Sequence, residues 1–378
     1  MTEKMHHDVP VRIGTLWTAS GHLFGRVTLD APDSLNALTM AMVEHIDPQL
    51  ERWAVDPKVV GVIIDAAGDK AFCAGGDIVG LYRSMQNAGA GNVPADAAAF
   101  FAREYRMDYR IHRYPKPVIC WATGIVMGGG IGLLAGASHR VATPTSRMAM
   151  PEVGIGLYPD VGGSWVLSRM PGHIGMFLGL TGASLNAGDA RYVGLATHAV
   201  HAGQRGMLLE SIAQACWHGD AQADASRIDG LLAMLGDGQE LPPSPLREHA
   251  ARIAGLVDGD DLAQIVTRLR ALAEDPDPWL AKAGRAVAGA SPTSLALTFA
   301  MQQRARRMTL AEVFRMEWQA SIGCCVHHDF PEGIRALLID KDKQPRWQPA
   351  TLDAVTAELV DAHLAPRHGG VHPLADLS

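Results

Sequence analysis

The chain has 378 residues, enough for one large domain or two ordinary ones with a sizeable buried core. Apolar residues make up 48% and charged residues 19%, which excludes a disordered chain. The formal net charge of −7 argues against nucleic acid as the main partner, although local Lys, Arg and helix N-termini can still hold an anionic ligand such as a nucleotide.

The opening M-T-E-K-M-H-H-D-V-P is polar, without the apolar core of a signal peptide or the Arg/Ser bias of a transit peptide, and His6-His7 is too short to read as a tag. From Ile13 to Leu29 the pattern predicts two short strands around a Gly21-His22 turn. Apolar Met42, Ile46, Leu50 and Trp53 then recur at helical spacing behind a Thr39 cap. The run V-V-G-V-I-I (Val59–Ile64) predicts a strand covered on both faces. A helix after Asp77, a strand at Val118–Trp121, a helix after Gly128 and a strand at Arg140–Thr143 continue an α/β pattern of repeated β-β-α or β-α units. Ala88–Pro94 is a Gly/Ala/Pro-rich loop.

After about residue 203 the strand signal ends. Helical periodicity follows at Glu248–Leu256, Leu262–Leu272, Ser294–Arg307, Leu310–Ser321 and Pro331–Leu338, with Leu241–Pro245 as a linker. The division expected is therefore an α/β core over 1–202 and a helical region over 203–378. The most apolar stretch, Pro117 to Ala137, contains six glycines and reads as strand, turn and helix, so no membrane span is expected. Five cysteines without metal-type spacing suit reduced thiols in a cytoplasmic protein.

The chemistry concentrates in three places. A-F-C-A-G-G-D (Ala71–Asp77) and M-G-G-G-I-G (Met127–Gly132) are glycine turns after apolar strand runs. Each allows a donor turn with unusual φ, or simply a tight connection and close packing. Two such turns can aim two backbone N–H groups at one developing oxyanion. In M-P-E-V-G-I-G-L-Y-P-D-V-G-G-S, Glu152 stands among apolar residues and glycines and must be paired, neutralised or functional. Asp160, eight residues on, either caps a helix or joins the chemistry.

These motifs resemble the crotonase (enoyl-CoA hydratase/isomerase) superfamily, and within it most closely the 3-hydroxyisobutyryl-CoA hydrolases. F-C-A-G-G-D-I, G-I-V-M-G-G-G-I-G-L and the Glu152/Asp160 segment carry the likeness in the first half. S-P-T-S-L, M-E-W, H-D-F-P-E-G-I-R-A, L-I-D-K-D and P-R-W-Q-P carry it in the second. The resemblance implies a spiral of β-β-α turns with an acyl-CoA lying across it. The mainly helical C-terminal half suits a lid over the acyl site or an oligomer interface equally, so a homo-oligomer is one expectation. The resemblance also implies an oxyanion hole from the amides of Gly76 and Gly129, Glu152 acting at the acyl carbon, and Asp160 as the second acid of the hydrolase branch.

Glu104 matches a substrate-contacting residue, although Glu104, Asp108 and His112 at i, i+4, i+8 also suit a solvated helix face. Hydratases of the superfamily add water with two glutamates, and the first would stand at Gly132, so hydration lacks one of its two proton carriers.

The activity implied is thioester hydrolysis of a 3-hydroxyacyl-CoA in valine breakdown. The alternatives are an enoyl-CoA hydratase/isomerase and an idle acyl-CoA-binding subunit. No metal and no cofactor are expected, coenzyme A being part of the substrate. Lys70 and Arg83 are unranked candidates for its phosphates. His327-His328 reads as a helix start, with His328-Asp329 as a cap.

Overall fold

The computed structural model describes residues 9–378; His6 and His7 lie outside the described residues. Strands β1 (Val11–Trp17) and β2 (Leu23–Leu29) form the expected antiparallel hairpin, closed where Thr18 N–H donates to His22 O at 3.0 Å and Gly21 takes φ 81°. Thr39 caps helix Met40–Val55 by accepting from Met42 N–H, and that helix buries the predicted Met42, Ile46, Leu50 and Trp53.

From there strands arrive in pairs. β3 (Val59–Ala66) is followed by β4 (Ala71–Cys73), β5 (Val118–Ala122) by β6 (Ile125–Met127), and β7 (His139–Ala142) by β8 (Arg147–Ala149). The first of each pair joins a sheet ordered β1-β2-β3-β5-β7-β9, with β9 (His198–Ala199) at its edge. The second joins a sheet ordered β4-β6-β8. The pairings β2–β3, β3–β5, β5–β7, β7–β9 and β4–β6 are parallel. Each β-β-α turn thus advances both sheets by one strand, which is the spiral the resemblance implies. β3 is buried along its whole length, as its unbroken apolar run requires.

The chain folds into two compact units with interleaved segments. One comprises the residues up to Gly76, Met107–Met148 and Leu185–Ser244; the other comprises Asp77–Arg106, Ala149–Ser184 and Pro245–Ser378. The composition change near residue 202 marks the last strand, β9, and not the end of a unit. Helices Arg205–Gln214 and Ala221–Gly236 belong with the sheets, because Leu208, Ile212, Ile228 and Leu232 pack on a sheet face formed by Phe24, Ile63, Ile119 and Val141. Each such apolar side chain contributes about 1.5–3 kcal/mol when fully buried.

The second unit is helical. Helix Leu310–Val326 starts at a reciprocal Thr309/Glu312 capping box and runs five residues beyond the expected Ser321. A Cβ on its Gly323 would lie 2.1 Å from His363 O, so glycine there lets helix Ala357–Leu364 approach. The expected Glu248–Leu256 helix breaks at His249 into Pro245–Glu248 and Ala250–Leu256. Helix Asp329–Ile334 passes into a π-helical turn at Arg335–Ile339. Among the described residues no helix is long and apolar enough to cross a membrane.

Candidate active site

Strand register places the two glycine turns together within the first unit. β4 and β6 are parallel neighbours with Cys73 opposite Val126, so their C-terminal ends open side by side, about 4.8 Å apart in the hydrogen-bonding direction. Gly75 follows β4 at φ 118°, and Gly128 follows β6 at φ 48°, ψ −121°, conformations that side-chain-bearing residues avoid. A Cβ on Gly130 would come within 2.4 Å of Cys73 O, so the turns touch only because that residue is glycine.

The first turn is braced from residues 31–38. Leu38 N–H donates to Gly75 O (2.8 Å) and Ala74 N–H to Leu35 O (3.0 Å). Buried Asn36, at φ 56°, donates to Ala67 O and Ala71 O and accepts from Ala31 N–H. The sequence reading missed Asn36; an Asn preceding A-L at a left-handed turn is the signal that could have found it. Among the described residues no acceptor takes the Gly76 amide, and the amides of Gly129 and Gly130 precede the first bond of their helix, Ile131 N–H to Gly128 O (2.7 Å).

The second unit gathers Glu104, Glu152 and Asp160, which are 2%, 5% and 5% exposed. Burial pushes the Glu104 and Glu152 carboxyls well above their ordinary range, and the neighbouring Asp160 adds to both. Burial likewise raises Asp160 to about 6, held back by the Tyr105 hydroxyl. Three like charges in one dry place cannot all ionise, so the cluster keeps protons at neutral pH. Glu104 Oε1 and Glu152 Oε2 are buried without a hydrogen-bond partner among the described residues. The solvated stripe considered for Glu104, Asp108 and His112 is not there. Glu104 and Asp108 are buried, and burial drives His112 down to about 4.

Around Asp160 stand residues that sequence reasoning did not single out. Tyr105 Oη lies 2.8 Å from Asp160 Oδ2 and 2.7 Å from Ser321 Oγ. Ser321 lies 2.8 Å from Tyr158 Oη, which donates to Glu317 O. The Glu317 carboxylate accepts from Gly162 N–H (2.7 Å) and Ser164 N–H (2.9 Å), satisfying orphan donors at the start of helix Gly163–Leu167. Burial pushes Glu317 up to about 8 against the pull of those two amides. Asp160 therefore does not cap that helix with its side chain; Glu317 does the work expected of a cap.

Asp77 does cap its helix, accepting from Gly80 N–H at 2.9 Å. His328 starts helix Asp329–Ile334 but makes no side-chain cap bond, while Asp329 accepts from Ser291 and Gln348. Lys70 and Arg83 are exposed, one in each unit. All five cysteines are free thiols.

The enoyl-CoA hydratase/isomerase family model matches residues 24–364. A protein named 3-hydroxyisobutyryl-CoA hydrolase, mitochondrial, from Danio rerio is 41% identical over 344 residues, covering 89% of this chain and 86% of that one. Its namesake from Homo sapiens is 37% identical over 342 residues, covering 90% and 85%. Among solved structures, a carnitinyl-CoA dehydratase from Mycobacterium thermoresistibile is 37% identical with a TM-score of 0.81, covering 94% of this chain and 96% of that one. An enoyl-CoA hydratase from Rhodobacter sphaeroides is 38% identical with a TM-score of 0.80, covering 95% and 98%. Paired strands feeding two sheets, adjacent glycine turns and these likenesses agree: the chain belongs to the enoyl-CoA hydratase/isomerase family.

Proposed function

We propose that the chain hydrolyses the thioester of 3-hydroxyisobutyryl-CoA, or of a close 3-hydroxyacyl-CoA, to the free acid and CoA, as a step of valine breakdown. The amides of Gly76 and Gly129 bind the thioester oxygen as it becomes negative. Glu152 acts at the carbonyl carbon, as nucleophile through a mixed anhydride or as base on a water. Asp160 accepts a hydrogen bond from the 3-hydroxyl and Glu104 contacts the acyl portion. The reaction takes no metal and no cofactor beyond the coenzyme A of its substrate.

The observation that carries the reading is the buried, unpartnered Oε2 of Glu152. An acid kept dry and short of partners, with its basicity raised, is a group awaiting a ligand. The names of the curated relatives support the substrate. Those relatives are called mitochondrial; for this chain we propose a reducing, cytoplasmic setting, in keeping with its free thiols. A homo-oligomer built through the helical region completes the proposal.

The two solved relatives, a carnitinyl-CoA dehydratase and an enoyl-CoA hydratase, favour a second reading, an enoyl-CoA hydratase. Gly132 speaks against it, since concerted hydration uses two acids and this position has no side chain. A panel of acyl-CoAs decides. Release of free CoA thiol, fastest with the 3-hydroxyisobutyryl ester and corrected for the protein's own cysteines, is the expected result. Loss of enoyl absorbance from crotonyl-CoA without thiol release would install the hydratase, and no turnover of either would leave a binding subunit.

A further inference from the structure

Five buried oxygens form an unbranched chain within the second unit: Glu317 O, Tyr158 Oη, Ser321 Oγ, Tyr105 Oη and Asp160 Oδ2. All four links are at hydrogen-bond distance, with Ser321 2.8 Å from Tyr158 and 2.7 Å from Tyr105, and Tyr105 2.8 Å from Asp160. Every link needs one proton. The Glu317 carbonyl only accepts, and the three hydroxyls bring one proton each. Three protons cannot fill four links, so the fourth must be the carboxyl proton of Asp160.

When Asp160 is ionised, one of these short contacts sets lone pair against lone pair, out of reach of water. When Asp160 carries its proton on Oδ2, every link is filled in one direction, from Asp160 through Tyr105, Ser321 and Tyr158 to the Glu317 carbonyl. We propose that Ser321 is a positioning residue: by joining Tyr105 to Tyr158 it completes a hydroxyl chain that holds a proton on Asp160 Oδ2. Oδ1 is then left as a neutral acceptor for the substrate's 3-hydroxyl, and the negative charge falls to Glu152. The role in catalysis rests on the hydrolase reading; the proton count does not.

The titratable groups facing Asp160 are Glu104, Glu152, Glu317, Tyr105, Tyr158 and Cys324. Among the described residues these include no cation, so what favours ionised Asp160 is the Tyr105 hydroxyl and, after it, Asp160's own backbone amide. With Tyr105 donating, burial raises Asp160 to about 6, and burial raises Glu152 as well. The proton count lifts Asp160 further, because the same Tyr105 proton cannot also serve a chain one proton short. Neutral Asp160 beside ionised Glu152 gives the two acids separate tasks.

Infrared spectroscopy of the full-length protein tests this without substrate. At about pH 7 the wild type should show a protonated-carboxyl C=O band that disappears in Asp160→Asn, placing the midpoint of Asp160 above the ordinary carboxylate range. Ser321→Ala and Tyr158→Phe each leave two links and two hydroxyl protons, so in both the midpoint of that band should fall by about one pH unit or more. Tyr105→Phe likewise leaves two links and two hydroxyl protons and takes away the acceptor of the Asp160 proton, so its midpoint should fall as well. A role in packing alone would leave the midpoint where it is. Absence of the Asp160 band from the wild type overturns the proposal, as does an unchanged midpoint in Ser321→Ala and Tyr158→Phe, either of which suffices if the other fails to fold. A protein that shows the shifts but cleaves no acyl-CoA would sink the hydrolase reading alone.

Discussion

In the proposed reaction the first unit contributes backbone amides and the second contributes side-chain acids. Gly76 and Gly129 present amides whose direction is set by strand register and whose charge never changes. Glu104, Glu152, Asp160 and Glu317 present carboxyls whose protonation depends on burial and on one another. Backbone donors tolerate pH but not added volume. Side-chain acids tolerate isosteres in packing but not in charge. The two regions should therefore fail in different ways.

The largest effect expected is on the side-chain region. Glu152→Gln keeps the shape and removes the reacting charge, so CoA release should fall about 10³-fold or more while acyl-CoA binding survives. Near-normal turnover by that variant would break the comparison at its centre. In the wild type, rate should climb as pH rises above the ordinary carboxylate range, because burial raises Glu152 and, in the proposed reaction, only its ionised form reacts.

Next comes the backbone region. Gly130→Ala puts a methyl 2.4 Å from Cys73 O and must push the two turns apart. Loss of one oxyanion donor costs about 10²–10³-fold in turnover, so kcat should drop by that order with little change in its pH profile. A variant that kept kcat but shifted the pH profile would show that the turns act through the acids instead.

Asp160→Asn should act on selectivity. The preference for 3-hydroxyisobutyryl-CoA over isobutyryl-CoA should shrink about tenfold or more, measured as the ratio of kcat/KM values, because a site built to bond a hydroxyl rejects analogues lacking it. An unchanged ratio would remove Asp160 from hydroxyl recognition.

The smallest effect is on stability. Glu317→Gln presents an amide donor to one of the N–H groups of Gly162 and Ser164, which costs about 1–3 kcal/mol for the group left unsatisfied. Burial raises Glu317 from an ordinary 4.5 to about 8, so between those values the folded state binds more protons than the unfolded one. Its contribution is full below 4.5 and is lost as pH rises to about 8. Denaturant unfolding across that window should show a flatter pH dependence in the variant than in the wild type.

Local patterns were enough for much of the fold. Thr39 as a cap, the buried Val59–Ile64 strand and Asp77 at the head of its helix can be read from a few neighbouring residues, because capping and burial on both faces are short-range effects. The glycine turns were legible as turns, but their contact was not. Ala71–Cys73 and Ile125–Met127 are three-residue strands whose pairing depends on the whole spiral. Helices Arg205–Gln214 and Ala221–Gly236 lie beyond the last strand signal, and the end of that signal does not say what the helices after it cover.

What the amino-acid order determined alone is the set of groups: two glycine turns, Glu152 among apolar neighbours, and Asp160 eight residues later. What only the tertiary structure decided is the state of those groups. Glu104 is a buried acid and not a surface charge, Glu317 is the cap that Asp160 was not, and Asp160 meets Tyr105 and, through it, Ser321, 55 and 216 positions apart along the chain in the two bonds. Protonation follows from burial and from which hydroxyl is within reach. Both are properties of packing between distant segments, so no local pattern encodes them.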